Sequence, residues 1–503
     1  MANIHPSQKK KIIPDIRYWG KKPPSIIQEF IREHTSQGDV VLDPFGGSGN
    51  TIATALSLQR RGIYVDLNPF AKLIAEARIV KCPLEDFQKN KSKILEQKVK
   101  IKDKTGKRKV NPKSLFLAKC PCGEWKEYSS VVKSRIYRTK KPIDTDITAL
   151  RSSIYEKVEE ADEICYESLI EKFPNKRSHV ISRAITWLKN EKLLDEKVTP
   201  VLLVFREKCS CGRKKINLKE NDTRHIEWML EGVQPSCWFP TDKLQYSDGK
   251  DFLKQRDFQK IDGFINDRSL AYLSHVWDKI SKLEVSQKVD KALKFVFMNT
   301  LCRSSNMCRE SGGTWPVNSY WVPRRFKIKN PRHVFRRALR EMEKSIKNSQ
   351  NQLEKGSVSE VLDKKTTASF LQGDAKNLPI PDNSIEYVIT DPPHLGEAQF
   401  LELSLLYNGW LRKRGDFEKE LTVNSKQEKS MKDYLKMFGR FTEELGRILK
   451  EDGTLTIILQ VDKQEIQEKC IRILNKSNFI LENKERNDNF TFYTFKVSEN
   501  REN

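Results

Sequence analysis

The sequence predicts an α/β fold: a nucleotide-binding kind of sheet that ends in an antiparallel hairpin and is interrupted by a large mixed insertion. Three observations predict it. Two apolar runs near the amino terminus, residues 39–43 and 62–66, each end in an acid and flank a glycine-rich turn and a helical pattern. The same texture returns near residue 368, with runs at 369–374 and 385–390. The stretch between them differs in kind, being rich in Lys and Arg and carrying two Cys-x-Cys-Gly pairs at 120–123 and 209–212.

The chain has 503 residues, too many for one ordinary core, so two or three domains are expected. Lys and Arg number 92 against 68 Asp and Glu, a formal net charge of +24. A charge of this size points to a polyanionic partner, with nucleic acid ahead of a membrane surface. Hydrophobic residues make up 37% and aromatic residues 9%, enough to build cores. The opening residues lack the apolar stretch of a secretory signal. No apolar run approaches the ~20 residues that span a bilayer. The cytosol, or the nucleus in a eukaryote, is the expected place, and the ten Cys are expected as thiols or metal ligands rather than disulfides.

The elements follow in order. Residues 25–37 read as a helix, with Ser25 and Gln28 as a capping box and Ile26, Ile27, Phe30 and Ile31 on one face. A buried strand, 39–43, leads into the turn 44–49. A helix is expected from about 50 to 61, with Gly62 as its stop, and then the strand 62–66. Residues 432–450 and 466–476 look helical around a strand at 454–460, and 479–484 with 490–497 read as the terminal hairpin. The expected division is 1–88 and 367–503 as the two parts of one α/β domain, with 89–366 inserted between two of its strands. Inside the insertion, residues 91–113 carry ten Lys or Arg against Glu96 and Asp103. Val180, Ile181, Ala184, Ile185 and Leu188 share a helix face ahead of a strand-like run at 201–205, as in a winged-helix-like piece.

In the turn Asp43-Pro-Phe-Gly-Gly-Ser-Gly-Asn-Thr51, glycines 46, 47 and 49 let backbone approach a ligand at a helix N-terminus. No Gly-Lys-Ser/Thr follows, so it is not a P-loop. Asp66, 17 residues after Gly49, ends the next strand, where a carboxylate can accept both hydroxyls of a ribose. Asp374 ends the third strand and suits an exocyclic amine of the nucleoside's adenine. Asp391-Pro-Pro-His394 sits at the carboxyl end of a strand. Its two prolines remove two N–H donors and leave an acceptor-only edge, which suits a planar amine.

These motifs resemble those of S-adenosylmethionine-dependent DNA amino-methyltransferases, which act on adenine N6 or cytosine N4. The resemblance continues in Tyr18-Trp-Gly-Lys-Lys-Pro23, Val65-Asp-Leu-Asn-Pro69, Gly373-Asp-Ala375, 378–384 and 401–411. It is closest to the large adenine-specific DNA methylases with an inserted zinc ribbon. It implies a Rossmann-like methyltransferase sheet, the cofactor S-adenosylmethionine and a duplex DNA substrate, with adenine N6 favoured over cytosine N4. By that resemblance, Asp43, Phe45, Gly47 and Gly49 would line the methionine end of the cofactor. Asp66 would hold its ribose and Asp374 its adenine, while the segment from Tyr18 would close over it. Asp391 and the Pro392 carbonyl, in the rigid Asp391-Pro392-Pro393 turn, would receive the target amine. His394 stands where the family usually carries an aromatic ring for stacking on the base. Two alternatives remain open: an RNA guanine-amine methyltransferase, and a catalytically weakened DNA-binding subunit of a specificity or defence complex. A restriction or defence-system partner is equally open.

Cys120, Cys122, Cys209 and Cys211, in matched Cys-x-Cys-Gly knuckles 86 residues apart, suggest a closed structural zinc site. Residues 315–327 interleave rings with cations, including Arg324 and Arg325. Asn330 can cap a helix opening on Pro331, with Phe335, Leu339, Met342 and Ile346 inward. Arg332, Arg336, Arg337 and Arg340 lie off that face as a cationic stripe suited to phosphates. Residues 102–109 form a second basic strip, or a mobile loop.

Overall fold

The computed structural model describes residues 18, 23–95, 97–140, 148–217, 227–253, 257–310, 320–348, 353–396, 398–459, 464–487 and 490–498. The central sheet is built from β1 (Val40–Asp43), β2 (Arg61–Asp66), β3 (Ala368–Gln372), β4 (Ile385–Thr390), β5 (Leu449–Ile458), β6 (Phe479–Asn487) and β7 (Phe490–Val497). Its spatial order is β3-β2-β1-β4-β5-β7-β6. The pairs from β3 through to β5 are parallel, and β7 runs antiparallel to both its neighbours. The sequence order reverses direction between β1 and β4. The carboxyl ends of the strands at such a reversal open a crevice where α/β sheets bind ligands. This is the Rossmann-like sheet with its terminal hairpin.

The helices follow from which strand residues need cover. In β1, Val41 packs with Ile26, Ile27, Phe30 and Ile31 of α1 (Pro24–His34). Val40 and Leu42 face the opposite way, toward Phe438, Phe441 and Leu445 of a helix at Met431–Ile448. Every residue of β1 is buried, as in a strand covered on both faces. Helices α2 (Asn50–Ser57) and α3 (Pro69–Ile79) complete the amino-terminal half.

Three local expectations are corrected. Helix α1 starts on Pro24 with Pro23 as N-cap and no side-chain cap bond, so the Ser25–Gln28 box does not form. Helix α2 ends at Ser57 rather than 61. Gly62 lies inside β2, where a Cβ would run into Ile52, so it serves helix-on-strand packing and not a helix stop. Residues 102–109 are not a loop but part of a hairpin, Val99–Asp103 with Gly106–Val110, and the basic strip stands, with Lys102, Lys104, Lys107, Arg108 and Lys109 exposed on it.

Between α3 and β3 the chain leaves the sheet. Helix Leu84–Leu95, which runs across position 88, packs with helices Asp267–Ser281, Gln287–Arg303 and Pro331–Asn348. That bundle shares one core with Phe70 and Ile74 of α3 and with Leu403, Leu406 and Trp410 of α4 (Phe400–Trp410). The buried Glu76 of α3 pairs with Lys291 at 2.7 Å and with Lys355 at 2.5 Å, locking insertion to sheet by charge as well as packing. Among the described residues, no helix is long and apolar enough to cross a membrane.

Candidate active site

The crevice at the β1/β4 reversal encloses about 960 Å³, its open mouth included. Tyr18, Asp43, Phe45, Gly47, Asp66, Asp374, Asp391 and Pro393 line it. Eight positions expected at the site, spread over more than 370 residues of sequence, therefore meet in one cleft.

The turn after β1 is held tightly. Gly46 N donates to Val65 O at 2.9 Å and Gly49 N to Gly46 O at 2.8 Å. Tyr64 Oη donates to Gly47 O at 2.8 Å. A Cβ on Gly46 would collide with the Tyr64 ring, and Gly47 sits at φ +49° with the Tyr18 ring beside it. Gly49 has φ +80°, and its bare face meets Ala75 and Ile79 of α3, not the cleft. Gly49 therefore seats α2 on α3.

Asp43 is buried; its Oδ1 accepts from Phe45 N at 3.2 Å and Thr390 Oγ1 at 3.0 Å. Burial pushes its carboxyl up to about 6 against those bonds. Asp66 accepts Gly47 N on Oδ2 and Asn68 N on Oδ1, each at 2.8 Å. Burial pushes Asp66 up to about 7. Each of its oxygens keeps a lone pair beyond these bonds. Asp374 Oδ1 accepts from Lys376 Nζ at 2.7 Å and Lys376 N at 3.0 Å, so a lysine partly neutralises it.

At the end of β4, the Pro393 carbonyl accepts Tyr434 Oη at 3.0 Å. His394 Nε2 lies 3.0 Å from Asp391 Oδ1. Pro392 is buried, and Pro392 and His394 stand beside the lining rather than in it. Leu395 takes φ +47°, and its carbonyl accepts from Val423 N and from Thr422 Oγ1, which turns the chain sharply after His394. Of the segment after Tyr18, residues 19–22 lie outside the described residues. Tyr18 itself is buried, accepts from Asn68 Nδ2 at 3.3 Å and stacks toward Phe400.

Two wall residues escape sequence reasoning. Glu420 is buried beside the cleft and accepts Leu401 N at 2.9 Å on Oε1, while Oε2 has no hydrogen-bond partner among the described residues. Burial pushes it up to about 7, and Asp66 adds to this. It sits in a charged stretch that reads as surface. Lys429 Nζ binds the carbonyls of Phe417, Glu418 and Glu420 and draws that stretch inward. Asn68 satisfies all its capacity internally, with Phe70 N, Asn408, Ser404 and Tyr18 as partners. It caps helix α3 ahead of Pro69 and serves as a strut between that helix and α4.

The four expected cysteines also converge. Their sulfurs lie within 4.8 Å of one another, with Cys120 to Cys211 at 3.6 Å and Cys122 to Cys209 at 3.3 Å. The knuckles are alike: Gly123 N bonds Cys120 O and Gly212 N bonds Cys209 O, each at 2.8 Å, with both glycines at positive φ. Tetrahedral zinc with Zn–S near 2.3 Å needs sulfurs about 3.8 Å apart, which this cluster approaches.

The arginines are spent differently. Arg332 pairs at 2.6 Å with the buried Glu127, Arg325 with Glu310, and Arg337 with Glu341. Arg324 lies over the Tyr166 ring and donates to Ser182 O at 3.1 Å. Arg336 is half-buried and Arg340 exposed. The stripe expected from 332 to 340 is thus partly built into the fold.

The sequence profile of the DNA methylase family matches residues 1–77. The type II methyltransferase M.MjaII of Methanocaldococcus jannaschii is 36% identical over 86 residues, covering 17% of this chain and 16% of that protein. YubD of Escherichia coli K12, named as a methylase, is 34% identical over 76 residues, covering 13% of this chain and 34% of its own length. The chain thus spans 16% and 34% of these relatives' lengths. A solved SAM-dependent methyltransferase of Methanosarcina mazei overlaps 27% of this chain and 69% of its own, at 11% identity and a TM-score of 0.16. The overlap at that score carries no argument; the strand order given above describes the fold. The segment that carries Asp43 and Asp66 is thus similar to the DNA methylases of the N6/N4 class.

Proposed function

We propose that this protein transfers a methyl group from S-adenosylmethionine to the exocyclic amine of a base in duplex DNA, with adenine N6 preferred over cytosine N4. The observation that carries it is the meeting of Asp391, at the end of β4, with Asp43 and Asp66, at the ends of β1 and β2, in one cleft. The cleft fits the cofactor. Five carboxylates line it against two lysines, Glu420 Oε2 has no hydrogen-bond partner among the described residues, and a Cβ on Gly47 would crowd the Tyr18 ring.

Bound there, the cofactor supplies an electrophilic methyl on a sulfonium. Asp66 would accept the ribose hydroxyls with the lone pairs left by its backbone bonds. Asp43 and the turn at Gly47 would face the methionine end, and Asp374 the adenine amine. The base amine is out of reach inside a duplex, so the target must swing out of the stack. Asp391 and the Pro392 carbonyl then accept its N–H groups and hold the nitrogen lone pair in line with the methyl. Tyr434 occupies one lone pair of the Pro393 carbonyl and holds the turn after Asp391 in place. Positioning, and acceptors aimed where positive charge develops, supply the rate. The Asp391 carboxylate would offset the positive charge that develops on the base nitrogen, and that nitrogen then gives its proton to solvent. Cys120, Cys122, Cys209 and Cys211 would hold a structural zinc, remote from this step. Acting on DNA, the protein would work at the nucleoid.

Methyl transfer from radiolabelled cofactor to duplex DNA and to RNA, run side by side, tests this. Label in the DNA base fraction supports it; label in RNA guanine alone overturns it. A second reading is a weakened, DNA-binding relative, favoured by the contact of His394 with Asp391. Cofactor binding without label in either polymer would select that reading.

A further inference from the structure

The insertion contains a small unit that the cleft does not use. It has its own core, with Ile154, Val158, Leu169, Ile181, Ile185 and Leu188 among its residues. Helices Ala149–Ala161, Tyr166–Glu171 and Ser178–Asn190 stand on a ribbon formed by strands Trp125–Thr139 and Leu194–Phe205. A short strand, Ile164–Cys165, pairs with Ile136 and Tyr137 on the ribbon's other edge. One ribbon strand precedes the three helices and the other follows them, and the run of helix, short strand, helix, turn and helix between them is that of a helix-turn-helix unit on a sheet, in which the second helix of the pair enters the major groove.

We propose that helix Ser178–Asn190 lies in the major groove of duplex DNA and selects the sequence delivered to the cleft. This rests on the DNA reading above and adds the reading element. Ile181, Ala184, Ile185 and Leu188 are buried on one helix face. Arg183, Thr186 and Asn190 are exposed on the opposite one, at spacing i, i+3, i+7. Arg, Asn and Thr suit guanine O6/N7, adenine N6/N7 and the thymine methyl respectively. Lys172, Lys176 and Arg177, in and beside the turn before the helix, are exposed, as is Arg183. Among the described residues these four cations form no ion pair, although acids are near. Glu160, Glu163 and Glu196 of the same unit are already paired, with Lys157, Arg138 and Lys189. The turn therefore keeps free positive charge for phosphates, next to a polar stripe for base edges. Arg324 holds the back of the helix through Ser182 O and Tyr166, so this arginine positions the reader.

The test measures duplex binding by fluorescence anisotropy and the methylated motif by base-resolved sequencing of host DNA. Arg183→Ala and Asn190→Ala lie on exposed positions; thermal melting and cofactor affinity check that each folds as the parent does. Each is expected to weaken binding to the preferred duplex about tenfold and to relax the motif at one base pair. Lys176→Ala with Arg177→Ala is expected to weaken all duplexes alike and lower the salt slope by about two. If the parent methylates DNA but the Arg183 and Asn190 variants keep its affinity and motif, the proposal fails alone. If the parent neither binds nor methylates DNA, the DNA reading fails and takes the proposal with it.

Discussion

His394 Nε2 lies 3.0 Å from Asp391 Oδ1, so the ring at the usual stacking position rests on the acid that would receive the amine. A base entering the cleft must part them. Asp391→Ala is expected to lower methyl transfer at least about 100-fold, with cofactor affinity within a factor of about two. His394→Tyr removes the imidazole and enlarges the ring. Base stacking on an aromatic ring is worth about 1–3 kcal/mol, so KM for DNA should fall several-fold. Steady-state kinetics and cofactor titration check both; full activity of Asp391→Ala would remove that residue from the mechanism.

Cofactor affinity should depend on pH with a definite sign. Burial raises Asp66 and Glu420 to about 7, so near pH 6 the empty cleft holds protons on both. A cationic cofactor favours their ionised forms. Affinity should therefore climb between about pH 6 and 8 and then level, with protons released on binding. For stability the sign is opposite: folded values above unfolded ones mean that this contribution is lost as pH rises from about 4 through 7. Calorimetry in buffers of different ionisation enthalpy reads the proton count. Asp66→Asn should reduce the count and weaken binding; an unchanged count would contradict these carboxylates as the source.

Arg332 should matter for folding more than for nucleic acid. Its partner Glu127 is buried and also meets His333 at 2.9 Å. Arg332→Ala removes the nearer of the two arginines on that carboxylate, Arg206 standing at 3.7 Å, and should cost about 2–3 kcal/mol. Denaturant melts measure the loss. A large drop in DNA affinity without a loss of stability would return Arg332 to the phosphate-binding stripe.

Much of the α/β part was legible because each motif is local. Acid-ended apolar runs, the glycine turn and Asp-Pro-Pro each announce a strand end, and all of them meet at the cleft. The four cysteines were legible as two matched knuckles, although 86 residues separate them. Glu420 was not legible, because bonds from Lys429, from Lys376 and from the backbone of Leu401 make its stretch a wall. The Ser25 box failed because Pro23 and Pro24 already set the helix start. The arginine stripe was misjudged in part because helical spacing shows which face a residue takes, and not that Glu127 comes to it from a strand 205 residues earlier.

The cysteine cluster gives a metal prediction. One zinc per chain is expected by elemental analysis, and Cys120→Ser should lose it and lower the melting temperature. The cluster joins the turn before Trp125–Thr139 to the turn after Leu194–Phe205, so its loss should loosen the ribbon that carries the small helical unit. Hydrogen exchange along that ribbon would show it. A zinc-free parent protein that melts as before on chelation would refute the site.

The central claim is transfer to a base amine in DNA by the Asp391 cleft. The most direct test expresses the protein and its Asp391→Ala variant in a host without methylases, then reads the host DNA by modification-sensitive single-molecule sequencing. The prediction is N6-methyladenine at one short motif with the parent protein and none with the variant. Unmodified DNA from the parent, or the same marks from the variant, would contradict it.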